Sequence, residues 1–174
     1  MQKDNKPGVM VNPDAFGNAW IVSNIDWVST PNEEIAAIEN TNVKTTAIVN
    51  EEFKNVVGDF NPSVSKGTIQ LASYKPNELI YNFNSSKEEL VVFSEIWTSK
   101  GWTMWIDGEE SPLIRADYIL RAAVVPAGNH EIKMRYEPKI WKVGNTIQFI
   151  SSLILILGLL AAIFVTYKKS VSKQ

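Results

Sequence analysis

From Val143 to Tyr167 the chain carries no charged side chain, and from Ile147 it is almost wholly apolar, reading IQFISSLILILGLLAAIFVTY. About 20 residues rising about 1.5 Å each cover the roughly 30 Å of bilayer hydrocarbon. A helix is the only single segment that satisfies its own backbone there. The run is followed by Lys168 and Lys169. Its length, its lack of charge and these lysines set it apart from the buried helix of a soluble protein. We read residues 146–167 as a transmembrane helix, 139–145 as a juxtamembrane linker and 168–174 as a tail, with the lipid bilayer as partner.

The residues ahead of the helix suffice for one domain with a real core. Charge is divided between the two parts. All 19 acidic residues and 14 of the 17 basic ones precede residue 146, leaving the domain at −5 and the tail at +3. So acidic a domain is a poor partner for nucleic acid, and no helix-turn-helix, zinc-finger or P-loop pattern is present. The absence of Cys excludes disulfides and Cys-ligated metals. The positive-inside rule places Lys168, Lys169 and Lys173 in the cytoplasm and the domain outside, although Arg135, Lys139 and Lys142 pull the other way. No apolar core of a signal peptide follows Lys3 and Lys6. Two readings result: an earlier membrane segment lies outside this chain, or the domain is cytosolic and the protein is tail-anchored.

Along the chain, residues 1–16 (MQKDNKPGVMVNPDAF) read as an irregular lead-in and 17–138 as the domain. Ala19–Val22 reads as a short strand. Thr30–Asn40 reads as a short helix, with Thr30 as N-cap, Pro31 at the first position, Glu33 and Glu34 in the first turn, and Ile35 and Ile38 toward the core. Thr45–Asn50 is strand-like and Val56–Gly67 a loop. After Gly67 the period becomes two. Leu79, Tyr81 and Phe83 alternate with Ile80, Asn82 and Asn84. Glu89–Trp97 is apolar on both faces, as in a central strand. Asp107–Gly108 suits a tight hairpin turn. Arg115–Val125 reads as one strand, with Ala116, Tyr118, Leu120, Ala122 and Val124 on one face and Arg115, Asp117 and Arg121 on the other. His130, Ile132, Met134 and Tyr136 alternate with Glu131, Lys133, Arg135 and Glu137. The fold class that follows is mainly β: an antiparallel, jelly-roll-like β-sandwich with one short helix, then the transmembrane helix.

Trp97, Trp102 and Trp105, near Tyr118, form an aromatic group that reads either as a glycan-stacking surface or as strand packing. Trp141, just ahead of the helix, suits a headgroup-level anchor. Glu95, Arg115, Asp117 and Arg121 read either as an internal ion-pair network or as a ligand pocket. His130, the one histidine, follows a turn and reads as a packing or hydrogen-bonding residue. No catalytic nucleophile–base pair, metal set or cofactor motif is recognisable. Asn84-Ser85-Ser86 fits the short N-glycosylation pattern. Asn145, Gln148 and Ser152 share one helix face with Ser151 beside it, and Gly158 and Ala162 make a small-residue pair. A helix with such a face suits contact with other helices.

The combination of Ser94-Glu95, Gly101-Trp102, Asp107-Gly108, Arg115-Ala116-Asp117-Tyr118, Leu120-Arg121, Pro126-Ala127-Gly128 with His130, and Glu137-Pro138 resembles the C-terminal region of the YfhO family of bacterial membrane proteins. Phe16-Gly17-Asn18-Ala19-Trp20 and the Glu33-Glu34 helix extend that likeness. Asp117 stands where many relatives carry Asn. The resemblance implies a terminal extracytoplasmic β-domain and last helix of a large polytopic protein in the bacterial cytoplasmic membrane. Such proteins are similar to GT-C type glycosyltransferases, which use polyprenyl-phosphate sugars outside that membrane. Their catalytic acidic residues sit in early loops, so none is carried over here and the domain is expected to be non-catalytic. The resemblance implies sister transmembrane helices as partners and a glycan or lipid-linked sugar as ligand. A stand-alone single-pass or tail-anchored protein with a β-sandwich binding domain is the alternative.

Overall fold

The computed structural model describes residues 12, 15–64 and 66–171, without the side chains of residues 139, 141, 142, 166, 167 and 169–171. Most of the expected lead-in, the last three residues of the tail and the reading of Trp141 as an anchor fall outside what is described. Among the described residues, eleven strands form two sheets. Sheet A has the order β1 (Ala19–Val22), β6 (Glu89–Ile96), β10 (Leu120–Val125), β9 (Ile114–Ala116), β3 (Thr46–Asn50), β2 (Asn24–Val28). Sheet B has the order β4 (Thr68–Lys75), β5 (Glu78–Ser85), β11 (Gly128–Tyr136), β7 (Trp102–Ile106), β8 (Glu109–Ser111). The pairings are antiparallel except β2 with β3, which are parallel and joined through helix α1 (Pro31–Asn40). A crossover helix is the ordinary way to join parallel neighbours.

Sheet A is rolled. Its two outermost strands, β1 and β2, are separated in sequence by Ser23 alone. Flat, six strands spaced about 4.8 Å apart would hold those edges about 24 Å from one another, whereas one residue reaches about 7 Å. The sheet therefore curls until the end of β1 meets the start of β2, where the amides of Ser23 and Asn24 both donate to the carbonyl of Thr45, at 2.8 and 3.1 Å. Inside the roll lie Val22, Ala47, Val49, Leu90, Val92, Ile114, Ala116 and Ala122, closed off by Val57 of the one-turn helix α2 (Lys54–Val57). A second core fills the space between the sheets: Val91, Phe93, Ala123 and Val125 of sheet A meet Leu79, Tyr81, Phe83, Met104, Ile132 and Met134 of sheet B. β6 contributes alternate residues to both cores, which explains its unbroken apolar run.

Helix α1 starts as its sequence predicts. The Thr30 side chain accepts from the Glu33 amide, and the Glu33 carboxylate accepts from the Thr30 amide, a capping box worth about 1 kcal/mol. Its inward face differs from expectation. Ile35 is exposed and Ile38 half-buried, while Glu34 is 1% exposed. Glu34 turns inward because Arg115 and Asn50 await it, at 2.9 and 3.1 Å from Oε1.

Residues 115–125 also depart from expectation. They do not form one strand. Asp117 and Tyr118 take positive φ angles of 48° and 70°, and the chain reverses so that β9 and β10 pair with one another. The cause is local: the Asp117 amide donates to the carbonyl of Ile48 (2.8 Å) and its Oδ1 accepts from the Ile48 amide (2.9 Å), which pins the turn to β3.

Helix α3 (Lys139–Val171) follows β11 after only Glu137 and Pro138, so residues 139–145 continue the helix as one piece. Val143–Val165, 23 residues, is long and apolar enough to cross a membrane, and none of it is buried against the domain. β11 is tied down where it leaves sheet B: the Tyr136 amide donates to Asn77 and the Glu137 amide to Gly101. Gly101 has φ 96°, and a Cβ there would run into the Tyr136 ring.

Candidate functional site

The aromatic residues singled out in the sequence go to different places. Trp102 lies at the margin of the inter-sheet core, tilted against Tyr136 with ring centroids 5.5 Å apart. The Arg121 guanidinium sits 4.0 Å from the Trp102 ring centroid. Trp97 is half-buried against Phe53, with Arg115 5.9 Å from its ring. Tyr118 is exposed in the turn between β9 and β10. Trp105 alternates with core-facing Met104 and so stands on the outer face of sheet B, half-buried, in register with Lys133 and Glu110.

The four charged residues do not form one ion-pair network: among the described residues no ion pair joins any two of them, and Glu95 is half-buried in β6. Arg115 bridges buried Glu34 (2.9 Å) and the more exposed Glu52 (3.5 Å). Arg121, 3% exposed, donates through Nε to the Ile96 carbonyl at 3.0 Å. Burial pulls its pKa below the usual arginine value, and the charge of Glu95 acts in the opposite direction. Asp117 is buried, and desolvation raises its pKa to about 6, partly offset by the Ile48 amide.

The solvent face of sheet B is the most organised polar surface in the domain. The register places Thr68, Asn84 and Asn129 side by side, then Gln70, Asn82 and Glu131 in the next row. Ile80, Lys133, Trp105 and Glu110 form a third row. Asn84 donates through Nδ2 to the side-chain oxygen of Asn129. A shallow depression of about 430 Å³ is lined by the first two rows and by His130. Asn is disfavoured in strands, so three Asn and one Gln on adjacent strands are unusual on packing grounds alone. Each primary amide offers two donors and one acceptor oxygen. Such a surface, flanked by an indole, matches ligands rich in hydroxyl groups. The signal was present in the sequence: Asn82 and Asn84 alternate with Tyr81 and Phe83, but only pairing with β4 and β11 brings Gln70 and Asn129 alongside.

Two ionic groups border this face. His130 Nδ1 lies 2.6 Å from Asp107 Oδ2, and Nε2 lies 3.2 Å from the Ala127 carbonyl. Both partners are acceptors, so the doubly protonated ring suits them best; the Asp107 carboxylate raises the His130 pKa and is itself held below its usual value. At the other end, Glu78 lies among Lys75, Lys133 and Arg135 at 3.1, 3.2 and 3.1 Å, and its pKa falls to about 2, led by hydrogen bonds from Lys75 and Lys133. Among the described residues no group of three or more His, Asp or Glu is placed to hold a metal ion.

The family model described as bacterial membrane protein YfhO matches residues 36–148, from the middle of α1 into the first part of the membrane-spanning helix. No curated protein and no solved structure matches the chain.

Proposed function

Since this chain belongs to the YfhO family of bacterial membrane proteins, we propose that it is the terminal β-domain and last helix of a polytopic membrane protein, with the domain outside the cytoplasmic membrane and the helix ending in the cytoplasm. In this reading the whole protein is a glycosyltransferase that transfers sugars from polyprenyl-phosphate carriers to cell-envelope glycans. The domain itself does no chemistry; it holds the glycan, and the polar face of α3 at Asn145, Gln148 and Ser152 contacts sister helices.

The observation that carries the glycan-holding role is the amide field of Gln70, Asn82, Asn84 and Asn129 on the solvent face of sheet B, with Trp105 one row on, across β11. Sugar rings present apolar C–H faces to an indole and hydroxyls to amides. The test is a glycan array of bacterial envelope oligosaccharides, followed by titration of the hits. Trp105→Ala and Asn82→Ala should each weaken binding about tenfold, the loss expected from one good contact. Binding unchanged in both variants overturns the assignment of this face.

Sidedness is tested separately. The chain lacks Cys, so single cysteines label cleanly. A membrane-impermeant maleimide applied to intact spheroplasts should label Glu109→Cys, at the end of the domain away from α3, and reach Ser170→Cys only after permeabilisation. The reverse pattern would establish the tail-anchored alternative.

A further inference from the structure

The end of the domain from which α3 leaves carries an unusual share of its exposed apolar surface. Tyr74, Ile96, Tyr118, Ile119 and Tyr136 are all exposed, between 37 and 65%. The backbone gathers them at this end. Tyr136 is the last residue of β11, and its amide bonds to Asn77 in the turn that follows Tyr74. The Glu137 amide bonds to Gly101, in the loop that begins after Ile96, and the amide of neighbouring Trp97 bonds to the Ile119 carbonyl. Ile140, in the first turn of α3, is 76% exposed. Three of the chain's five tyrosines belong to this rim.

We propose that this rim rests in the headgroup layer of the bilayer, making the β-domain a second, peripheral membrane contact beside the spanning helix. The occupant follows from reach. Four helical residues, Lys139 to Lys142, separate the domain from the apolar span that starts at Val143. At about 1.5 Å per residue they rise about 6 Å, the thickness of one headgroup layer, about 5–8 Å. Glu137 and Pro138 add at most about 7 Å. The end bearing Tyr136 is therefore held within about 13 Å of the apolar span, in the headgroup layer or against its outer edge. Its composition suits that depth: tyrosine is enriched at membrane–water interfaces because its ring is apolar and its hydroxyl hydrates, and isolated isoleucines add apolar area. The glycan face of sheet B plays no part in this inference, so either can fail without the other.

The experiment uses the full chain reconstituted in phosphatidylcholine–phosphatidylglycerol vesicles, with an environment-sensitive fluorophore on Ile96→Cys or Ile119→Cys, both exposed positions. Glu109→Cys, beside the Asp107–Gly108 turn at the opposite end, is the control. Lipid carrying a nitroxide just below the headgroup should remove most of the emission at 96 and 119 and little at 109. Equal quenching at all three sites overturns the proposal. So does blue-shifted emission at 96 and 119 without quenching, which would mean that protein covers the rim.

Discussion

The two faces of sheet B are built from the same strands and obey different rules. In β5, Leu79, Tyr81 and Phe83 are buried between the sheets, while Asn82 and Asn84 stand in solvent one residue away. The inner face is explained by packing: each apolar side chain gains about 1.5–3 kcal/mol on leaving water. The outer face has no such explanation, because asparagine lowers strand stability. On the function proposed above these exposed amides serve a ligand, and the contrast can be broken by substitution.

The largest expected effect is on the inner face. Phe83→Ala should cost about 3–5 kcal/mol in thermal or denaturant unfolding, whereas Asn82→Ala should change stability by no more than about 0.5 kcal/mol. A comparable loss from Asn82→Ala would mean that the outer face is structural. The tryptophans sharpen the same contrast. Trp102→Ala removes the platform of Arg121 and should cost about 2–4 kcal/mol, while Trp105→Ala should be nearly silent in stability and visible in glycan titration. Had the aromatics formed one surface, the two would behave alike.

Asp117 comes next, because it is buried near the roll of sheet A and is remote from both faces. Its folded pKa of about 6 lies above the usual 3.8, so the folded state binds more protons than the unfolded state between those values. Stability is therefore greatest below pH 4 on this account and falls by about 3 kcal/mol as pH rises through 6. Asp117→Asn should flatten this dependence and raise stability at pH 8 by about 1–2 kcal/mol, since the amide still accepts from Ile48 but buries a donor. An unchanged pH profile would show that Asp117 is not the group responsible.

The smallest effect is expected at His130. Its raised pKa stabilises the fold at pH values below its unfolded titration, and this contribution disappears as pH rises through the folded value. His130→Gln should lower the melting temperature slightly at pH 6 and less at pH 9. In NMR titration the His130 midpoint should lie above 6.5 and drop in Asp107→Asn.

Where a structural decision was local, the sequence carried it. The Thr30 capping box, the Asp107–Gly108 hairpin, the alternation of β5 and β11 and the apolar span are all readable from neighbours. Non-local partners decided the rest. Glu34 replaces Ile35 on the inner side of α1 because Arg115, 81 residues away, meets it there. Tyr118 is a poor residue for positive φ, yet the bonds of Asp117 to Ile48 impose the turn, so a continuous period-two pattern hid a strand reversal. The candidate site was legible in part: its amides were visible strand by strand, but their alignment depends on register. The sandwich was legible as a class, while the rolling of sheet A followed only from which strands pair.

Closure of sheet A at Ser23 also bears on how these domains behave when crowded. Unpaired strand edges are templates on which chains associate; in sheet A, β1 and β2 meet at the Ser23 corner, and β1 lies beside β4 of sheet B. The edges of sheet B are less inviting than their number suggests. β4 carries a bulge between Leu71 and Ser73, and β8 is three residues long with Glu109 and Glu110 in it. A protein confined to a membrane meets its copies at high local concentration in a common orientation, and a head group with so little edge to offer can be packed densely there without stitching into sheets.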